Sequence, residues 1–110
     1  MARKKLRRRY LLAQLNTEQR VTSQTFARMI SDQSIQLYGV KGLTLGNPKL
    51  IAFDEEGNRA IIRCNHDWLP KMRCVLASIS RVGDQPLRVD VKLVSGTLKA
   101  LKTKTGWTIP

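Results

Sequence analysis

Three observations predict an α+β fold of the split βαβ (ferredoxin-like) type, a four-stranded antiparallel sheet with both helices on one face. Four short segments read as strands, the first and last of them by alternating faces, and two carry apolar stripes at helical spacing. Their order along the chain is β-α-β-β-α-β. At 110 residues and 42% apolar content, the chain is read as one domain spanning 1–110 with its own core.

The first strand is read over Arg8 to Leu15. Leu11, Ala13 and Leu15 fall on one face, and Arg8, Tyr10, Leu12 and Gln14 on the other. After a polar connection, Thr22 or Ser23 is placed to cap a helix running to about Tyr38. Phe26, Met29, Ile30, Gln33 and Leu37 form its predicted buried stripe, and Gly39 ends it. A loop containing Gly42, Gly46, Asn47 and Pro48 leads to a second strand, Lys49 to Phe53. The acidic Asp54-Glu55-Glu56-Gly57-Asn58 is a hairpin connection to a third strand, Arg59 to Cys64. Asn65 or Asp67 is expected to cap a second helix from Trp68 to Ile79, with Trp68, Leu69, Met72, Val75, Leu76 and Ile79 facing inward. Pro70 is tolerated in its first turn, where amide hydrogens have no helical acceptor. A turn around Gly83 precedes the last strand, Leu87 to Val94. Its alternation puts Leu87, Val89, Val91 and Leu93 inside and Arg88, Asp90 and Lys92 outside. Ser95-Gly96-Thr97 ends the strand, and a short basic tail of about 98–110 follows, to which no element is assigned.

In this topology the first strand is central and the last lies beside it, antiparallel, at the sheet edge. The start of the one then meets the end of the other. The face away from the helices would carry Arg8, Tyr10, Leu12, Ile61, Arg63, Arg88 and Lys92, a basic surface with apolar patches.

Charge narrows the partner. The formal net charge is +12, far beyond the needs of solubility, and implies a polyanion. Six of the seven residues from Arg3 to Arg9 are basic (Arg3, Lys4, Lys5, Arg7, Arg8 and Arg9), forming an arm of about 1–7. Lys92, Lys99, Lys102 and Lys104 form a second tract, and no acid follows Asp90. Unpaired cations are excluded from a core by their desolvation cost. The arm is therefore a solvated surface element, and it runs directly into a core strand, which argues against a mere solubility tail. A membrane is the weaker reading, because neither a spanning run nor a basic amphipathic helix is evident. Without a signal-peptide pattern, and with Cys64 and Cys74 read as two buried thiols, the chain is expected in the cytoplasm.

The residues of an active site are missing. His66 is the single histidine and has no mate for proton relay. Cys64 and Cys74 do not make a zinc set, and the acidic cluster reads as a turn. The glycines do not have phosphate-loop spacing. No bound cofactor or metal is expected. A nuclease acting alone is thereby disfavoured, and a pure protein-interaction module would leave the charge unexplained. The topology is also that of the RRM fold, whose sheet stacks bases on aromatics of its central strands. Here aromatics are 5% of the chain and the third strand has none, so phosphate recognition by Lys and Arg is favoured over base stacking.

Two stretches carry a more specific signal: Arg8-Arg9-Tyr10-Leu11-Leu12 and Val94-Ser95-Gly96-Thr97-Leu98-Lys99. Leu37-Tyr38-Gly39 and Ile61-Ile62-Arg63-Cys64 lie between them in the expected order. Together these resemble the small RRM-like protein subunits of archaeal ribonuclease P, the component 2 family, with Pop-five and Rpp-fourteen as eukaryotic relatives. The resemblance covers nearly the whole chain, with Thr103 to Pro110 outside it. It implies an archaeal ribonucleoprotein endonuclease that removes the 5′ leader from precursor tRNA, its RNA doing the chemistry with magnesium. It further implies a TIM-barrel protein partner and self-association within a heterotetramer. The residues it points to for RNA contact are Arg8, Arg9, Tyr10, Ser95, Gly96, Thr97 and Lys99. For Gly96 and Thr97, a tight bend and a local turn bond are the structural alternatives. Another RNA-binding protein of this fold, ribosomal or ribosome-associated, is the alternative function.

Overall fold

In a computed structural model of the chain, residues 7–107 are described; 1–6, with Arg3, Lys4 and Lys5, and 108–110 lie outside them. The order is β1 (Arg8–Asn16), α1 (Ser23–Tyr38), α2 (Val40–Thr44), β2 (Lys49–Asp54), β3 (Arg59–Asn65), a 3-10 turn (His66–Trp68), α3 (Leu69–Ser78), a minute hairpin of β4 (Arg81–Val82) and β5 (Gln85–Pro86), β6 (Arg88–Ser95) and α4 (Leu98–Thr105). The main sheet is antiparallel in the order β2-β3-β1-β6, as the split βαβ topology requires.

Local chemistry accounts for the ends of α1. Thr22 Oγ1 accepts from the Thr25 amide at 3.2 Å and satisfies one of the orphan donors of the first turn. Gly39 closes the helix at φ 69°, a backbone conformation open to glycine at little cost, and its amide donates to the Ile35 carbonyl at 2.7 Å. The buried face is Phe26, Ile30 and Ser34, with Met29, Gln33 and Tyr38 partly buried. Leu37 is the exception to the predicted stripe and is 45% exposed. The helix presents an i, i+4 ridge to the sheet, which turns Leu37 outward.

α3 buries the predicted Met72, Val75 and Leu76, with Ile79 just beyond it. Its start differs from expectation. Neither Asn65 nor Asp67 gives a side-chain cap, and Asn65 Nδ2 instead donates to the Leu45 carbonyl at 2.7 Å. The loop expected after Gly39 contains a five-residue helix, α2. A Cβ on Gly42 would stand 2.6 Å from the Ser34 carbonyl oxygen, so glycine is what lets α2 lie against α1.

The principal core lies between the sheet and the pair α1 and α3. Leu11, Ala13 and Leu15 of β1 meet Ala60, Ile62 and Cys64 of β3 in it, as the alternation predicts. Two expectations fail at the other face. β6 has a register irregularity opposite Leu12/Ala13, where Val91 pairs with Ala13 but Leu93 pairs with Leu12. The bulge reverses the alternation, so Leu93 leaves the core side and is 36% exposed, while Val94 packs against the core. The second correction is α4, a helix within the basic tail, where the β-α-β-β-α-β order has no element. It lies across the face expected to be open, and Leu101, fully buried, joins Leu12 and Ile61 in a second core. Cys74, expected to be buried, is exposed.

Candidate nucleic-acid interface

The antiparallel pairing of β1 with β6 brings Arg8 and Arg9, at the start of β1, to the end of β6 where the chain turns into α4. Tyr10 is registered opposite Ser95 and Leu11 opposite Val94. On its other side β1 pairs Arg8 with Asn65, Arg9 with Cys64 and Tyr10 with Arg63. Arg7 is exposed, and its carbonyl accepts from the His66 amide at 2.8 Å, which anchors the exit of the arm. Arg8 is exposed and Arg9 half-buried. Arg9 Nη1 lies 3.3 Å from where a Gly96 Cβ would stand. The chain bends at Gly96, as one of the two structural alternatives has it, but not through the left-handed region, and the neighbour nearest to a Cβ there is this guanidinium.

Ser95 and Thr97 have structural duties here. Ser95 is buried, and its Oγ accepts from the Thr97 amide at 3.3 Å. Thr97 caps α4 by accepting from the Ala100 amide at 3.1 Å. Both hydroxyls thus fix the turn that aims the first turn of α4 at the corner. The positive end of the helix dipole there favours an anion. Tyr10 is half-buried and packs with Leu98 in the second core, so its ring is a wall of the corner rather than a free stacking platform.

The remaining predicted residues spread outward. Lys99 is exposed on the first turn of α4, and Lys102 is half-buried on the next. Lys92 is exposed at the bulge, away from the Tyr10–Ser95 pairing. Arg3, Lys4 and Lys5 fall outside the described residues. Not every cation is available. Arg59 pairs with Asp54 at 3.2 Å and lies 4.6 Å from the centroid of the Trp107 ring. Arg88 pairs with Asp90 at 3.2 Å and Arg20 with Glu55 at 3.3 Å.

Asp54 belongs to the hairpin. The Gly57 amide donates to its Oδ1 at 3.1 Å, and that bond, with Arg59 beside it, holds the carboxyl below its ordinary range. An open groove of about 700 Å³, lined by Leu15, Asn16, Thr17, Glu18, Gln85 and Pro86, lies at the far end of β1 and offers no cation. Among the described residues, no group of three or more His, Cys, Asp or Glu is placed to hold a metal. No helix among them is long and apolar enough to cross a membrane.

A model of the Rpp14/Pop5 family matches residues 9–105, from Arg9 in the basic corner to the last residue of α4. The chain belongs to the Rpp14/Pop5 family. Ribonuclease P protein component 2 of Pyrococcus horikoshii is 28% identical over 103 residues, covering 90% of this chain and 86% of that protein. The protein of the same name from Archaeoglobus fulgidus is 30% identical over 98 residues, covering 89% and 87%. A chain in the cryo-EM structure of yeast ribonuclease MRP shares the fold, with a TM-score of 0.71 at 14% identity over 96% of this chain and 93% of that one. The family match takes in α4, so the helix over the sheet falls within the family's span, although the sequence resemblance stopped before Thr103.

Proposed function

We propose that this chain is a protein subunit of ribonuclease P, the ribonucleoprotein that removes the 5′ leader from precursor tRNA. The observation that carries the proposal is the family match over residues 9–105, joined by archaeal relatives named as ribonuclease P protein component 2. Its part is to bind the RNA subunit by phosphate contacts from Arg7, Arg8, Arg9, Lys99 and Lys102, with further charge from Arg3, Lys4 and Lys5 of the arm. Cleavage itself is assigned to the RNA with its magnesium. Two observations support that assignment: His66 has no second histidine to work with, and Asp54 is taken up by the Gly57 amide and Arg59.

A TIM-barrel protein subunit and a second copy of this chain complete the proposed assembly. Ile35, Leu37, Val40 and Leu45, exposed at the end of α1 and around α2, support a protein partner, since large apolar residues grouped at the surface commonly mark one. The work is placed in the cytoplasm. The experiment is to purify the tagged chain from its source cells and sequence the RNA that comes with it. Enrichment of one RNA of ribonuclease P type is expected. Enrichment of ribosomal RNA instead would assign the chain to the ribosome and overturn the proposal.

A further inference from the structure

The register of the sheet places cations in a row that the terminal tracts do not include. Lys49 of β2 stands directly opposite Arg63 of β3, Arg63 opposite Tyr10 of β1, and Tyr10 opposite Ser95 of β6. The four positions form one line across the sheet, ending at the turn into α4. Arg8 is two residues before Tyr10 on β1, and so on the same face. Like charges directly opposite on paired strands destabilise a sheet. The ordinary remedy is a carboxylate, and this protein uses it nearby. Arg59 lies four residues before Arg63 on the same face of the same strand, and there Asp54 pairs with it and Trp107 lies against it.

Arg63 has neither. Among the described residues it makes no hydrogen bond and no ion pair, and Lys49 makes no ion pair. The Nε of Arg63 is buried without a partner, which costs stability and gives none back within the fold. Its stem is thus held inside the packed layer while its charge goes unmatched. α4 does not cover the whole row. Its apolar residues Leu98 and Leu101 pack with Leu12, Ile61 and Tyr10, and Lys49 is exposed.

We propose that Lys49 and Arg63, with Arg8 beside them, form a phosphate-binding track across the sheet that holds the backbone of an RNA strand and continues the surface at the Arg9–Gly96 corner. The occupant is a polyanion because the row is cationic and uncompensated. It is a nucleic-acid backbone rather than a base stack because the row's one aromatic, Tyr10, is packed beneath α4. The inference rests on the RNA-binding reading above and assigns that binding to two strands outside the terminal tracts.

The test measures binding of the full chain to in vitro transcribed ribonuclease P RNA across a salt titration, with circular dichroism as the folding control. The double variant Lys49→Gln, Arg63→Gln is expected to lower the slope of log affinity against log salt by about two units, one for each lost phosphate contact. Lys49→Gln alone changes an exposed position and is expected to lower it by about one unit, which keeps the test open if the double variant does not fold. The control Arg28→Gln, Arg73→Gln removes two exposed cations from α1 and α3 and should keep the wild-type slope. A folded row variant with an unchanged slope would overturn the track and leave the RNA-binding reading standing. Loss of binding to an acidic protein partner with RNA binding intact would do the same. Failure of the wild-type chain to bind this RNA would overturn both.

Discussion

Cys64 and Cys74 stand ten residues apart and have opposite surroundings. Cys64 faces the core from β3, and burial pushes its thiol from 9.0 to about 11, against a smaller opposing pull from Arg9. Between those values the folded chain keeps a proton that the unfolded chain has lost. The thiol's contribution to stability is therefore full below about pH 9 and declines as the pH rises to about 11. Cys74 is exposed on α3. A thiol-specific reagent at neutral pH is expected to modify Cys74 in the native protein, and Cys64 only after denaturation, read by peptide mass mapping. Rapid native labelling of Cys64 would contradict its placement. Nothing in the residues around them separates the two thiols. Both sit in apolar contexts, and Cys74 is turned outward only by the phase of α3 against the sheet. Ser34 shows the converse: a polar residue in the buried ridge of α1, satisfied by donating to the Ile30 carbonyl at 2.7 Å, where hydrophobicity alone would favour Leu37.

Elements with a strong internal period were legible, and those defined by a neighbour were not. β1, β3, α1 and α3 each carry their own pattern and come within a few residues of their predicted bounds. β6 carries a pattern that misleads past its middle. Leu87, Val89, Val91 and Leu93 alternate without a break in sequence, yet the bulge against β1 turns Leu93 to the α4 face. A bulge is a property of two paired strands, and one strand's sequence does not reveal it. α4 was hidden for a related reason. Its apolar residues are few among lysines and threonines, and their value comes from Leu12 and Ile61 on the sheet beneath. The contrast can be measured by chemical denaturation. Val91→Asp places a charge against the principal core and is expected to destabilise by about 2–4 kcal/mol or more. Leu93→Asp, on the far side of the bulge and partly exposed, is expected to cost less than half as much. Equal losses would mean that the bulge is absent.

For the molecule as a whole, the sheet converts a linear charge distribution into a surface. Two basic tracts are legible in the sequence, and the topology predicts that they meet; the Tyr10–Ser95 pairing brings Arg8 and Arg9 beside the turn into α4, while Lys92 stays apart at the bulge. What the sequence could not show is which cations are taken. Arg59 and Arg88 look as available as Arg63 in sequence, and only the fold pairs the first two with Asp54 and Asp90. Deleting residues 1–6 removes Arg3, Lys4 and Lys5 and leaves every described strand in place. The salt slope of RNA binding is then expected to fall by about two to three units with little loss of stability, and an unchanged slope would return the arm to the role of a solubility tail.

The most direct measurement is precursor-tRNA cleavage by the ribonuclease P RNA and its other protein subunits, with and without this chain, across a magnesium titration. Positive charge supplied at the phosphates should substitute for part of the magnesium that folds the RNA. Half-maximal cleavage is expected at lower magnesium when the chain is present, with no cleavage by the chain without the RNA. A magnesium requirement unchanged by adding the chain, or cleavage by the RNA-free protein that is lost on changing one of its acidic residues, would contradict that expectation.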